Sequence, residues 1–166
     1  MWPALGVEVA PDRARTWVAR AAVDTDRRIA VELLDPIPGA SMAAGMIARW
    51  WSRWHVDDIA IDPHSPSSTL LEPLRNEGMP LKLADALGMA VAHGKLHDLL
   101  TSSRLRIRGH EALDHAARLA KERRLAGAHA VERYGDADLA PLVAAELAVW
   151  ALGDPDTDTE PVIIVT

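Results

Sequence analysis

The 166-residue chain contains no cysteine, which excludes a disulfide framework and any thiolate metal site. It has no apolar run approaching the roughly 20 residues a membrane span needs. Its first residues lack the basic and apolar regions of a signal peptide, so a cytosolic setting is expected. Internal repeats, low-complexity segments and composition shifts that would mark a domain boundary are all missing. A phosphate-binding P-loop is missing too. Five residues separate Gly88 from Gly94-Lys95 where that motif needs four, Leu96 replaces its Ser or Thr, and the stretch has a helical pattern. No ATP site is expected in this chain.

Positive charge is in deficit overall, with a net charge of −6 that argues against a protein coating nucleic acid. The deficit is uneven. Asp154, Asp156, Asp158 and Glu160 place −4 in the tail. Arg104, Arg106, Arg108, Arg118, Lys121, Arg123 and Arg124 outweigh Glu111, Asp114 and Glu122, a local +4. A local basic surface suits a binder that touches phosphate on one face only. The tail's alternating acids lack the glycine of a calcium loop and read as solvated.

With 49% apolar and 25% charged residues, the chain reads as one globular domain, residues 1–152, followed by an acidic tail, 153–166. Leu5 to Ala10 alternates with period two and is apolar on both faces, as expected of a buried central strand. Two more strands, 16–23 and 28–34, are joined by the turn 24–27, giving an antiparallel meander. Ser41 is placed to cap a helix to His55 that buries Trp50 and Trp54 and leaves Trp51 partly exposed. A strand, Ile59 to Ile61, a helix, 66–76, and a strand, 81–83, follow. Helices are expected at 85–100, 111–121 and 141–152, an extended stretch at 105–108, and a short strand pair within 126–134. The order predicts an α/β fold: a mixed sheet, antiparallel in its first three strands and then parallel, with helices on both faces.

Glu8 puts a carboxylate inside the first strand, where an unpaired charge is costly and requires a cation or protonation. Asp62 ends the strand Ile59 to Ile61, where open sheets place ligand sites. Asp138 precedes the last, strongly apolar helix. If that helix packs beside the first and fourth strands, the three carboxylates converge and need a shared cation. Hard oxygen ligands without cysteine select Mg²⁺ or Mn²⁺, one ion or two. Taken singly, Glu8 is an ion-paired buried acid, Asp62 a turn residue and Asp138 a helix cap. Asp136 is a possible further ligand, and so is Asp12, for which a turn role is preferred. His93 and His97 have zinc-binding spacing but no third ligand, so they are read as a surface-facing pair. His64 is read as a loop residue.

Residues 5–13 resemble the opening of the nuclease domain of tailed-phage terminase large subunits, within the ribonuclease H-like superfamily. Ile59-Ala60-Ile61-Asp62-Pro63 is similar to that family's second acidic motif. Asp138 with the proline-started apolar helix ending at Trp150 is similar to its third. The resemblance spans roughly residues 4–152. It implies a ribonuclease H-like fold and a metal-dependent endonuclease that cuts concatemeric double-stranded DNA during genome packaging. It further implies a preceding ATPase motor domain, a small terminase subunit and a portal as partners, and the bacterial host cytoplasm as the setting. The chain is then expected to be an excised domain. A degenerate domain that binds DNA or packaging partners without cutting, and a Holliday-junction resolvase-like nuclease, remain as alternatives. The family usually carries Asp where this chain has Glu8. Shortening Glu8 to Asp is accordingly expected to raise Mn²⁺ affinity or activity.

Overall fold

A computed structural model describes residues 2–133 and 137–154. The possible ligand Asp136 and all of the acidic tail beyond Asp154 lie outside the described residues. The first three strands, β1 (Ala4–Val9), β2 (Arg15–Val23) and β3 (Ile29–Leu33), form the expected antiparallel meander. A two-residue strand, β4 (Ile37–Pro38), adds to β2. The chain then crosses through α1 (Ala43–Trp54) to β5 (Ile59–Ile61), which lies parallel to β1. A 3₁₀ turn (Pro66–Leu70) and α2 (Leu71–Asn76) lead to β6 (Leu81–Leu83), parallel to β5. After α3 (Ala86–Thr101), β7 (Leu105–Ile107) pairs parallel to β3 at the far edge. The sheet order is β6-β5-β1-β2-β3-β7. The mixed sheet with an antiparallel start is therefore the observed one.

Beyond β7 come α4 (Glu111–Leu119), the hairpin β8 (Glu122–Leu125) and β9 (Ala128–Val131), and α5 (Ala140–Leu152). The alternation of β1 assigns its side chains to two cores. Leu5, Val7 and Val9 meet Ile47 of α1 and Leu74 of α2 on one face. Ala4, Ala10 and the small residues of β2 meet α3, α4 and α5 on the other. Every residue of α5 except Leu142 and Trp150 is buried. A helix so apolar all round must be interior, and α5 lies across β1 and β2.

Four local expectations change. Ser41 does not cap α1, which starts after Met42 without a side-chain cap. The buried line of α1 is Ala43 and Ile47, while Trp50, Trp51 and Trp54 are half-buried against the core. Trp50 and Trp54 stack on each other with ring centroids 6.0 Å apart. The helix expected over 66–76 is split, because Pro73 has no N–H to continue an α-helical ladder back to Thr69. The late hairpin starts at Glu122, earlier than its expected position, and turns on Ala126 and Gly127, both at positive φ.

Candidate active site

β1 and β5 run parallel with Val7 opposite Ile61, so the next residues, Glu8 and Asp62, emerge side by side at the carboxyl ends of adjacent central strands. Both are buried, Glu8 at 3% and Asp62 at 7% exposure. Glu8 is the cost in the strand that its sequence position suggests. Ser67, fully buried in the 3₁₀ turn, donates to Glu8 Oε2 at 2.9 Å and accepts from the backbone N–H of Val9 at 2.8 Å. Ser65 donates to the same Glu8 oxygen at 3.1 Å. Asp62 Oδ1 accepts from the backbone N–H of His64 at 2.7 Å, which folds the chain back after β5.

The cation that meets Glu8 in the structure is a side chain, Arg133, just beyond β9. Its Nη1 donates to Glu8 Oε1 at 3.3 Å and to Asp62 Oδ2 at 2.7 Å. Its Nη2 lies 3.3 Å from the sulfur of Met89 on α3. Burial pushes the Glu8 carboxyl up to about 7, against the lowering pull of the Arg133 guanidinium and the Ser67 hydroxyl.

Asp138 lies near the N-terminus of α5, and that helix end borders Glu8 and Arg133 through Leu139 and Ala140. Its carboxylate does not join theirs. Oδ2 accepts from the indole N–H of Trp17 at 2.9 Å, and Oδ1 from the backbone N–H of Ala140 at 3.1 Å. Trp17 is the β2 residue paired with Glu8, so Asp138 is held on the β2 side of the site. The described residues contain no group of three His, Asp or Glu side chains placed to share one metal ion. Asp12 makes a turn bond to the N–H of Ala14 at 2.9 Å.

A cavity of about 210 Å³ opens beside Asp62, lined by His64, Met89, Arg123 and Arg133 among others. Arg123 is the member of the basic segment found there. Arg106 and Arg108 sit on the edge strand β7, where Arg106 pairs with Asp24 and Asp26 and Arg108 with Glu32. Arg104 precedes that strand, and its carbonyl accepts from Ile29. Arg118 donates to the Asp114 carbonyl of its own helix, and Lys121 and Arg124 are exposed beside and on β8.

His93 is a correction. It is half-buried, not surface-facing, and its Nδ1 lies 2.8 Å from Oε1 of Glu146, which is 1% exposed inside α5. Its Nε2 lies 3.2 Å from Glu122 on β8. His97 is exposed beside Asp98. The hydrogen bond that protonated His93 donates to Glu146 pushes the imidazole up to about 9, while burial pushes the Glu146 carboxyl up against the opposing pull of His93.

Arg133, Ser65, Ser67 and Glu146 escaped the sequence reading. Glu146 did carry a signal, as the one charged residue in the apolar run 139–152. Arg133 carried none, because a lone arginine in a polar stretch of ambiguous period has no distinguishing pattern.

A mixed sheet in this order, with helices on both faces, has the ribonuclease H-like architecture. Within that class the chain has the fold of phage large terminase nuclease domains. It superposes on the large terminase of bacteriophage HK97 with a TM-score of 0.70 and 14% identity, over 90% of this chain and 38% of that one. The large terminase nuclease of thermophilic phage G20c with bound magnesium gives 0.69 and 13%, over 89% of this chain and 80% of that one. The nuclease domain of Thermus phage P74-26 gives 0.67 and 14%, over 89% and 77%. This chain thus spans about two fifths of the HK97 protein. No protein-family model and no curated protein sequence matches it. At such identities the likeness establishes the fold and not the reaction.

Proposed function

We propose that the chain is a divalent-metal-dependent DNA endonuclease domain, with Glu8 and Asp62 as the core of its metal site and Asp138 as the third carboxylate. One observation carries the reading. Two buried carboxylates on adjacent parallel strands converge on a single cationic nitrogen, at 3.3 and 2.7 Å. Their oxygens are hard donors and no thiol competes, which fits Mg²⁺ or Mn²⁺. The fold shared with a terminase nuclease solved with magnesium, with cobalt and with zinc bound supports the use of a divalent metal.

When bound, such an ion supplies a Lewis acid and an activated water for in-line phosphodiester hydrolysis. The chain's own residues do the rest. Ser65 and Ser67 fix the Glu8 carboxylate through one oxygen, so that the other faces the cationic position that Arg133 now fills. The His64 N–H fixes Asp62 in the same way. Trp17 and the first turn of α5 hold Asp138. Arg123 places positive charge in the cavity beside Asp62, where a strand phosphate would lie. The remaining residues of the basic segment (Arg104, Arg106, Arg108, Arg118, Lys121 and Arg124) are proposed as outlying backbone contacts.

The reading extends to concatemer cutting in a larger terminase, with an ATPase motor domain, a small subunit and a portal, in the host cytoplasm during phage assembly. No described helix is long and apolar enough to cross a membrane. A supercoiled plasmid incubated with the protein and Mn²⁺ should be nicked by wild type and left intact by Asp62→Ala. Intact plasmid with wild type, or unchanged nicking by the variant, overturns the assignment. A second reading, a domain that binds DNA without cutting, is favoured by the engagement of Asp138 away from the other two acids. It requires that Mn²⁺ titration show no carboxylate-dependent binding.

A further inference from the structure

Arg133 holds the two carboxylate oxygens that the proposed metal would need. Nη1 is 2.7 Å from one carboxylate oxygen and 3.3 Å from the other. A Mg²⁺ ion bonds carboxylate oxygens at about 2.0–2.1 Å. An ion bonded to Asp62 Oδ2 and Glu8 Oε1 from the side that faces Arg133 would crowd the nitrogen that already holds both oxygens, and the two cations would repel. The guanidinium is not a loose surface group either. Its side chain is 19% exposed, and its other amino group contacts Met89. Its single positive charge sits between the two acids and offsets part of the cost of ionising Glu8 in its buried position.

We propose that Arg133 is a metal-displaced latch: it holds Glu8 and Asp62 paired in the absence of metal, and must swing away before a divalent ion can bind. The proposal rests on the metal-site reading above. Arg133 is then a positioning residue that sets metal affinity and takes no part in bond cleavage. The cavity beside Asp62, which Arg133 already lines, offers the displaced guanidinium somewhere to go. Apparent metal affinity is lowered by the fraction of molecules with the latch open, so a latch closed about nine times in ten weakens binding about tenfold.

Two roles for Arg133 predict opposite signs. A latch competes with the ion, so removing it tightens binding. An arginine that merely orients the carboxylates for the ion would loosen binding when removed, as loss of an outer-shell partner does. Calorimetric titration of Mn²⁺ into wild type, Arg133→Gln and Arg133→Lys separates them. We expect Arg133→Gln to bind Mn²⁺ at least tenfold more tightly than wild type. Arg133→Lys should fall between, because an ammonium on a shorter side chain reaches the two acids less closely. Thermal unfolding gives a second readout: Mn²⁺ should raise the Tm of Arg133→Gln more than that of wild type. Should Arg133→Gln not fold, Arg133→Lys carries the same comparison. Unchanged or weaker Mn²⁺ binding in the variants, with binding by wild type intact, overturns the latch and leaves the metal site standing. Absence of Mn²⁺ binding in every protein overturns the metal site and the latch with it.

Discussion

Ala144 of α5 crosses Gly6 of β1 so closely that a Cβ on Gly6 would lie 2.1 Å from the Ala144 carbonyl oxygen and 2.3 Å from the Ala148 nitrogen. The obstacle is helix backbone, which cannot rotate aside as a side chain does. This contact lets α5 lie flat on the strand that carries Glu8, two residues further on, and so brings the helix N-terminus to the site. Gly6→Ala should therefore destabilise the fold by about 3 kcal/mol or more, the upper range for overpacking. Urea unfolding of the two proteins measures it. A loss within experimental error would mean that α5 can lift from the sheet without cost.

Ser67 should behave like a core residue despite its hydroxyl. Ser67→Ala leaves the buried N–H of Val9 without its acceptor and removes the nearer of two donors to Glu8 Oε2. Orphaning the Val9 N–H and leaving Glu8 Oε2 with Ser65 alone costs about 2–3 kcal/mol by the usual desolvation penalty. Chemical denaturation should show that loss, whereas Ser68→Ala, on the exposed side of the same turn, should be close to neutral.

How far all this could be read from the chain follows from what each feature needs. Periodicity needs only local residues, and it placed the meander, β5 and the apolar α5. Glu8 and Asp62 were legible because each is an acid at a position where neighbouring residues demand burial. Their pairing with Arg133 joins positions 71 and 125 residues apart and depends on where the β8–β9 hairpin folds back. That hairpin is mostly exposed, so no apolar alternation fixed its register or its start. Asp138 was placed correctly along the chain, but the turning of its carboxylate toward Trp17 depends on a cross-strand neighbour of Glu8. His93 looked like a surface residue because its partner, Glu146, sits inside a helix whose other residues are apolar.

The His93–Glu146 contact sets a pH dependence. Glu122 is the other acid facing His93, while His97 and His129 lie near Glu122 and Arg133 near Glu146. His93 is raised from 6.5 to about 9, so in the folded state it keeps a proton that the unfolded chain gives up near 6.5. Its contribution to stability is complete below that value and is lost as pH rises through about 9. Glu146, also raised, acts in the same direction. Wild-type Tm should fall between pH 6.5 and 9, and His93→Gln should show a flatter profile over the same window. Parallel profiles would show that the pair does not exchange a proton on unfolding.

Glu8→Asp tests whether the longer side chain is a defect or a fit. Compared by motif alone, the Asp usual at this position argues that shortening Glu8 improves the site. Ser65 and Ser67 point the other way. Both hydroxyls reach Glu8 Oε2, at 3.1 and 2.9 Å, so the turn after β5 is shaped to the length of a glutamate. Withdrawing the carboxylate by one methylene, about 1.5 Å, takes both serine contacts beyond hydrogen-bonding distance. The expected result is a stability loss of about 1–3 kcal/mol and Mn²⁺ binding weakened about tenfold, as for losing supports of a metal ligand. Urea unfolding and calorimetry read the two separately. Tighter Mn²⁺ binding by Glu8→Asp would show that the serines hold the side chain away from the metal position, and that an aspartate released from them serves the site better.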